Sequence, residues 1–190
     1  FLFLFNYNKF IYSPGAFGLE LFDEVYYNLG YAHFKLKDYP ESITWFRKYV
    51  RDINPVFEKR RFRDKTRKEV FSMAADAYLR LGDGYFISKD YEVSIDYYDK
   101  AISLLPDSLS KAGYALSDID YAQCQKALAK GVLGDTKSKL GILQKLLFAH
   151  EGSSYTDDAK FEMAKSYSIL ENPDSAVHWY RNVVSQHPNS

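Results

Sequence analysis

Large apolar residues and small ones recur along this chain at helical spacing, in blocks that share one layout. The clearest block runs from Tyr78 to Pro106. Tyr78, Leu81 and Tyr85 stand three, then four residues apart, a spacing that paints an apolar stripe along one side of a helix. Gly82 sits inside that stripe. A second stripe carries Ser94, Tyr98 and Ala101, and Pro106 closes the block. Small residues on facing sides let two helix axes approach while aromatic rings fill the flanks. A glycine inside a helix costs about 1 kcal/mol relative to alanine, so Gly82 predicts a close helix–helix contact.

The same layout occurs three more times. The first copy has Tyr26, Leu29, Gly30 and His33 in one helix and Ser42, Phe46 and Tyr49 in the next, followed by Pro55. The last has Met163, Ala164 and Tyr167, then Ala176, Tyr180, Val183 and Pro188, with Lys160 in place of the leading aromatic. The third keeps Ala127 at the glycine place and Leu143 and Leu146 in its second helix. It carries Lys130 and Lys139 where Tyr and a small residue are expected, but its loop Leu133-Gly134-Asp135 aligns with Leu170-Glu171-Asn172. The units are therefore expected at 23–56, 75–108, 120–153 and 157–190, within a single domain over 1–190. Phe1-Leu2-Phe3-Leu4-Phe5 reads as the start of a remnant, residues 1–14, of a preceding repeat's helix, and the chain as part of a longer array.

Helix starts agree with this register. Asp38-Tyr39-Pro40-Glu41 and Asn172-Pro173 each offer a capping side chain and an early proline. Thr66-Arg67-Lys68-Glu69 and Ser117-Asp118-Ile119-Asp120 read as capping boxes. The first spacer is expected to extend the following helix back to Thr66, leaving Val56 and Phe57 in a loop or short turn. A loop is expected over 109–119. No long run of strict alternation argues for a sheet, so the fold class is all-α.

The pattern resembles the tetratricopeptide repeat (TPR), a helix–turn–helix unit of about 34 residues. Asn28-Leu29-Gly30-Tyr31-Ala32, Leu81-Gly82-Asp83-Gly84-Tyr85-Phe86 and Ser153-Ser154-Tyr155-Thr156-Asp157-Asp158-Ala159 are similar to TPR proteins of the bacterial cell envelope. Those include outer-membrane assembly lipoproteins and the Tol–Pal-associated coordinator of cell division. The resemblance implies a right-handed α-solenoid of antiparallel helix pairs, the TPR superhelix. It further implies a non-catalytic scaffold without cofactor, binding a peptide or partner helix in a concave groove within an envelope complex. The periplasm or outer-membrane periphery is the compartment it suggests.

In such repeats the groove is lined by first-helix residues off the packing stripe. Here those are Tyr27, Tyr31 and Phe34, then Leu79, Asp83 and Phe86, then Tyr121, Cys124 and Leu128, then Phe161 and Lys165. Rings and aliphatic groups with few charges suit a peptide or helix, although neighbouring repeats could cover some of them. The Lys and Asn cluster that grips a C-terminal carboxylate in some members is not matched, because Tyr27 and Tyr31 occupy its places.

Charge and composition narrow the functions. The 25 basic and 25 acidic residues cancel, so no net field steers the molecule to nucleic acid or an acidic membrane. One run, Lys59, Arg60, Arg61, Arg63, Lys65, Arg67 and Lys68, reads first as a solvated spacer. Binding of nucleic acid or another anionic surface through it is the alternative reading. No apolar run approaches the roughly 20 residues of a membrane span. Cys124 is the only cysteine, and the four histidines show no metal spacing. Asp157-Asp158 falls at a helix start, where carboxylates favour the dipole, and no nucleophile–base pair stands out. Catalysis is not expected. Weak self-association is, through Phe1–Phe5 or through a face built around Phe161, Trp179, Tyr180 and Val183.

Overall fold

The computed structural model describes residues 19–59, 64–104, 116–149 and 152–186. These form eight α-helices and no strand: α1 (Leu19–Lys35), α2 (Tyr39–Lys59), α3 (Asp64–Ile87), α4 (Tyr91–Leu104), α5 (Leu116–Val132), α6 (Thr136–Ala149), α7 (Thr156–Ile169) and α8 (Pro173–Gln186). They fall into two units, within 1–104 and 105–190. In the first, α1 packs on α2, α2 on α3 and α3 on α4; in the second, α5 to α8 pack in the same serial way. The expected remnant at 1–14 lies outside the described residues.

The small positions of the repeat have the expected use. A Cβ on Gly82 would lie 2.5 Å from the Tyr98 ring, and one on Gly30 would lie 2.8 Å from the Phe46 ring. The helices of the first two pairs thus meet backbone against aromatic ring. Ser42 and Ser94 add a bond: each hydroxyl donates to the carbonyl of the facing glycine, Gly30 or Gly82, at 2.9 Å. Gly84 serves the joint between pairs, since a Cβ there would meet Ile43 of α2 at 2.8 Å.

All four turns between paired helices are the same. Lys37, Lys89, Gly134 and Glu171 have left-handed φ angles of 60°, 64°, 82° and 54°. In the first turn the Lys37 N–H bonds the Phe34 carbonyl and the Asp38 N–H reaches back to His33; the other three turns repeat both bonds. This is the Schellman arrangement, which normally recruits glycine. The next residue starts the second helix. Asp90, Asp135 and Asn172 each accept a backbone N–H three residues on, at 3.5, 3.1 and 3.1 Å. Asp38 instead accepts from His33 Nδ1 at 3.0 Å.

The third copy solves its packing differently. Gly131 occupies the place held by Phe34 and Phe86 in the first two copies, and the Lys139 stem fills the space, with Cδ 2.8 Å from where a Gly131 Cβ would be. The Lys139 ammonium then reaches Glu162 of α7 at 2.5 Å, and Lys165 bonds the same carboxylate at 2.7 Å. The lysine that breaks the repeat pattern is therefore a buried tie between α6 and α7.

Two expectations about the first spacer need correction. α2 continues through Pro55 to Lys59, so Val56 and Phe57 are helical and not in a loop. Proline removes one helical donor, and the helix runs past that gap. α3 is already helical at Asp64, so Thr66 lies inside it and is not its cap.

Candidate functional site

In the first unit, α1 and α3 present one continuous polar and aromatic face. Asp76 is its hub. The Tyr27 hydroxyl donates to Asp76 Oδ2 at 2.8 Å and the Tyr31 hydroxyl to Oδ1 at 3.0 Å. Arg80, one turn on, donates to Asp76 Oδ1 through Nε at 3.3 Å and Nη2 at 3.2 Å, and to Asp83 Oδ2 through Nη1 at 2.7 Å. The Tyr98 hydroxyl holds the other Asp83 oxygen at 2.9 Å. Around this network the guanidinium lies 5.4 Å from the Phe34 ring centre and 5.9 Å from that of Tyr31.

The electrostatics follow from the arrangement. Burial alone would lower the Arg80 pKa, but Asp76 and Asp83 outweigh it and hold the guanidinium charged. Burial, then the Asp76 charge, pushes the Tyr27 and Tyr31 hydroxyls above their usual range. Both therefore stay protonated donors. Tyr27 packs against Tyr49 at 5.3 Å and Phe46 at 5.8 Å, which fixes its ring. The result is a hydrogen-bonded face whose outer parts are the half-buried Tyr31, Phe34, Arg80 and Phe86.

Not every residue expected in a groove lies on that face. Leu79 is fully buried, because α3 is covered by α2 on one side and α4 on the other. Asp83 is buried under Arg80 and Tyr98. Asp76 and Arg80 were not singled out in the sequence, although their spacing of four on the motif helix is a signal for an ion pair.

In the second unit Tyr121 and Leu128 are half-buried, and Phe161 and Lys165 are exposed. The Tyr121 ring lies 6.0 Å from Tyr155. Lys165 lies 5.5 Å over the Phe161 ring, whose other neighbour is Tyr180 at 6.0 Å. Cys124 belongs to the core with Leu143, Leu146 and Met163. Burial, followed by the charge of Asp158, pushes its thiol up to about 12, so it is no thiolate at neutral pH.

Of the basic run, Lys59 closes α2, and Lys65, Arg67 and Lys68 lie in the first turns of α3. Arg60, Arg61 and Arg63 lie outside the described residues. Among the described residues no group of three His, Cys, Asp or Glu could hold a metal ion, and no helix is long and apolar enough to cross a membrane.

Comparison with known proteins bears on the fold. The tetratricopeptide repeat family model matches residues 23–51 and 75–108, segments that take in much of α1 and α2 and of α3 and α4. No curated protein sequence matches the chain. Among solved structures, MamA superposes with a TM-score of 0.68 at 17% identity, covering 97% of this chain and 86% of that one. The apo form of RapI gives 0.70 at 12% identity, covering 88% of this chain and 43% of its own. The Rap conjugation gene regulator of plasmid pLS20, solved in complex with the Phr* peptide, gives 0.58 at 15% identity, covering 96% and 47%. The chain thus spans less than half of either Rap protein. Two segments of the chain match the tetratricopeptide repeat model, and the fold of the described residues is an all-α helical repeat.

Proposed function

We propose that this protein is a non-catalytic interaction scaffold that holds a peptide or partner helix on the face built by the first helices of its pairs. The observation that carries this reading is the fixed network of Tyr27, Tyr31, Asp76, Arg80 and Asp83, with Phe34 and Phe86 half-open beside it. A face already ordered before binding loses little entropy when a partner arrives. Rings offer contact area, and Arg80 offers donors for a carbonyl or carboxylate. The peptide complex of the pLS20 regulator is a precedent for ligand binding on a similar fold. In the second unit the corresponding positions are Tyr121, Leu128, Phe161 and Lys165. We place the scaffold in a bacterial envelope complex on the strength of the motif resemblance.

The test is selection of peptides from a random display library on the full chain. Selected peptides should lose binding to Arg80→Ala and Phe34→Ala while tolerating high salt. Binding insensitive to both substitutions, but abolished by salt and by neutralising Arg60 and Arg61, would favour the anionic-surface reading of residues 59–68.

A further inference from the structure

The first unit has a second feature, on the side away from the Arg80 network. A cavity of about 480 Å³ opens between α2 and α4. Arg47, Lys48 and Arg51 enter it from α2 and Lys100 from α4, and the rings of Tyr78 and Tyr97 contribute to its wall. Among the described residues no acidic one lines it. Arg51 is neutralised by Asp52, with bonds of 2.7 and 3.2 Å. Lys48 rests 3.9 Å over the Trp45 ring and Lys100 4.7 Å over the Tyr97 ring. Rings hold those ammonium groups in place without cancelling their charge.

The floor is built. Tyr78 is buried, and Tyr97 stacks on Tyr85 at 5.4 Å with the planes 9° apart, and on Tyr78 at 6.1 Å. Arg47 and Arg51 are one helical turn apart, so both forks leave α2 from the same side. Among the described residues, four cations line the cavity, with Asp52 on Arg51 and Asp96 acting on Tyr97 as nearby carboxylates, so positive charge is in excess at this site in a molecule whose total is zero. Repulsion among them is a cost that a bound anion removes. A singly charged carboxylate answers that excess poorly. A phosphate carries up to two charges and three acceptors, and matches guanidinium geometry.

We propose that this cavity is a binding site for a phosphate-bearing ligand, the phosphate seated among Arg47, Lys48, Arg51 and Lys100. The cavity lies within the size range of small-molecule sites. It can hold free phosphate or pyrophosphate, or the phosphate of a larger organic molecule with its body against the tyrosines.

The experiment is calorimetric titration of the full chain, at fixed ionic strength, with inorganic pyrophosphate and with inositol hexakisphosphate. Binding is expected for at least one probe. Similar affinity for both would identify a free-anion site, and tighter binding of the inositol phosphate an organic source. R47Q combined with K100Q should weaken it at least tenfold. K137Q combined with K145Q, which removes two exposed charges from the second unit, should leave it unchanged. T44E, which places a carboxylate at the cavity mouth, should abolish it, and decides the matter if the double variant loses its helical circular dichroism. The proposal is overturned if neither probe binds, or if all variants bind like the parent chain.

Discussion

Two glycines show how one residue type has opposite consequences in one fold. Gly82 faces the Tyr98 ring with no room for a Cβ, whereas a Cβ on Gly141, inside α6, would meet nothing within 4 Å. Helix propensity favours alanine at both by about 1 kcal/mol, but overpacking at Gly82 costs about 1–3 kcal/mol. Gly141→Ala should therefore raise the urea midpoint, and Gly82→Ala should lower it. The four left-handed turns permit a second prediction at this scale. Lys89 adopts φ 64° and is exposed, and a non-glycine residue in that conformation is disfavoured by about 1–2 kcal/mol. Glycine also loses more unfolded-state freedom, so Lys89→Gly should stabilise by about 1 kcal/mol, read from the same denaturation curves. An unchanged or lower midpoint would mean that Lys89 contributes something its backbone does not reveal.

At the scale of elements, the tie between α6 and α7 carries a pH dependence. Burial opposes the charge on Glu162, but hydrogen bonds from Lys139 and Lys165 prevail and hold its pKa below the usual carboxylate range. A lowered folded-state pKa means that the stabilisation is present above the unfolded value. It is lost as pH falls through the folded one. Lys139 is buried, and removing the partner of a buried charge costs about 3–5 kcal/mol. Glu162→Gln should destabilise by about 3 kcal/mol at neutral pH and narrow its gap from the parent chain in acid. Lys139→Met should cost far less, because Lys165 still holds the carboxylate. Equal losses from both substitutions would refute this account. The tie also marks where sequence reading stops. Helix pairs and small positions such as Gly82 and Ser94 were legible because they depend on spacing along one chain segment. The roles of Lys139, Asp76 and Arg80 depend on which side chains meet across helices, and Leu79 was misplaced because its burial comes from helices on both sides of α3. Spacing alone does not encode those meetings.

For the whole molecule, net charge and exposed apolar surface act together. The formal charge is zero at neutral pH, so little electrostatic repulsion keeps copies apart. Along α8, Val177 is 45% and Val184 71% exposed, and Phe161 of α7 is 47% exposed. Contiguous apolar surface of several hundred Å² tends to acquire a partner, and a second copy is the partner available in a purified sample. We expect a weak, concentration-dependent association whose strength declines as the pH moves away from neutrality in either direction. Sedimentation velocity over a concentration series tests it, with Val184→Glu as the informative variant. That substitution touches an exposed side chain, so it should leave the helical signal intact while returning the sedimentation coefficient to a single concentration-independent value. If Val184→Glu associates like the parent chain, the contact lies elsewhere and the α8 surface is not the sticky face. If the parent chain is monomeric throughout, its exposed apolar residues are too dispersed to act as one patch.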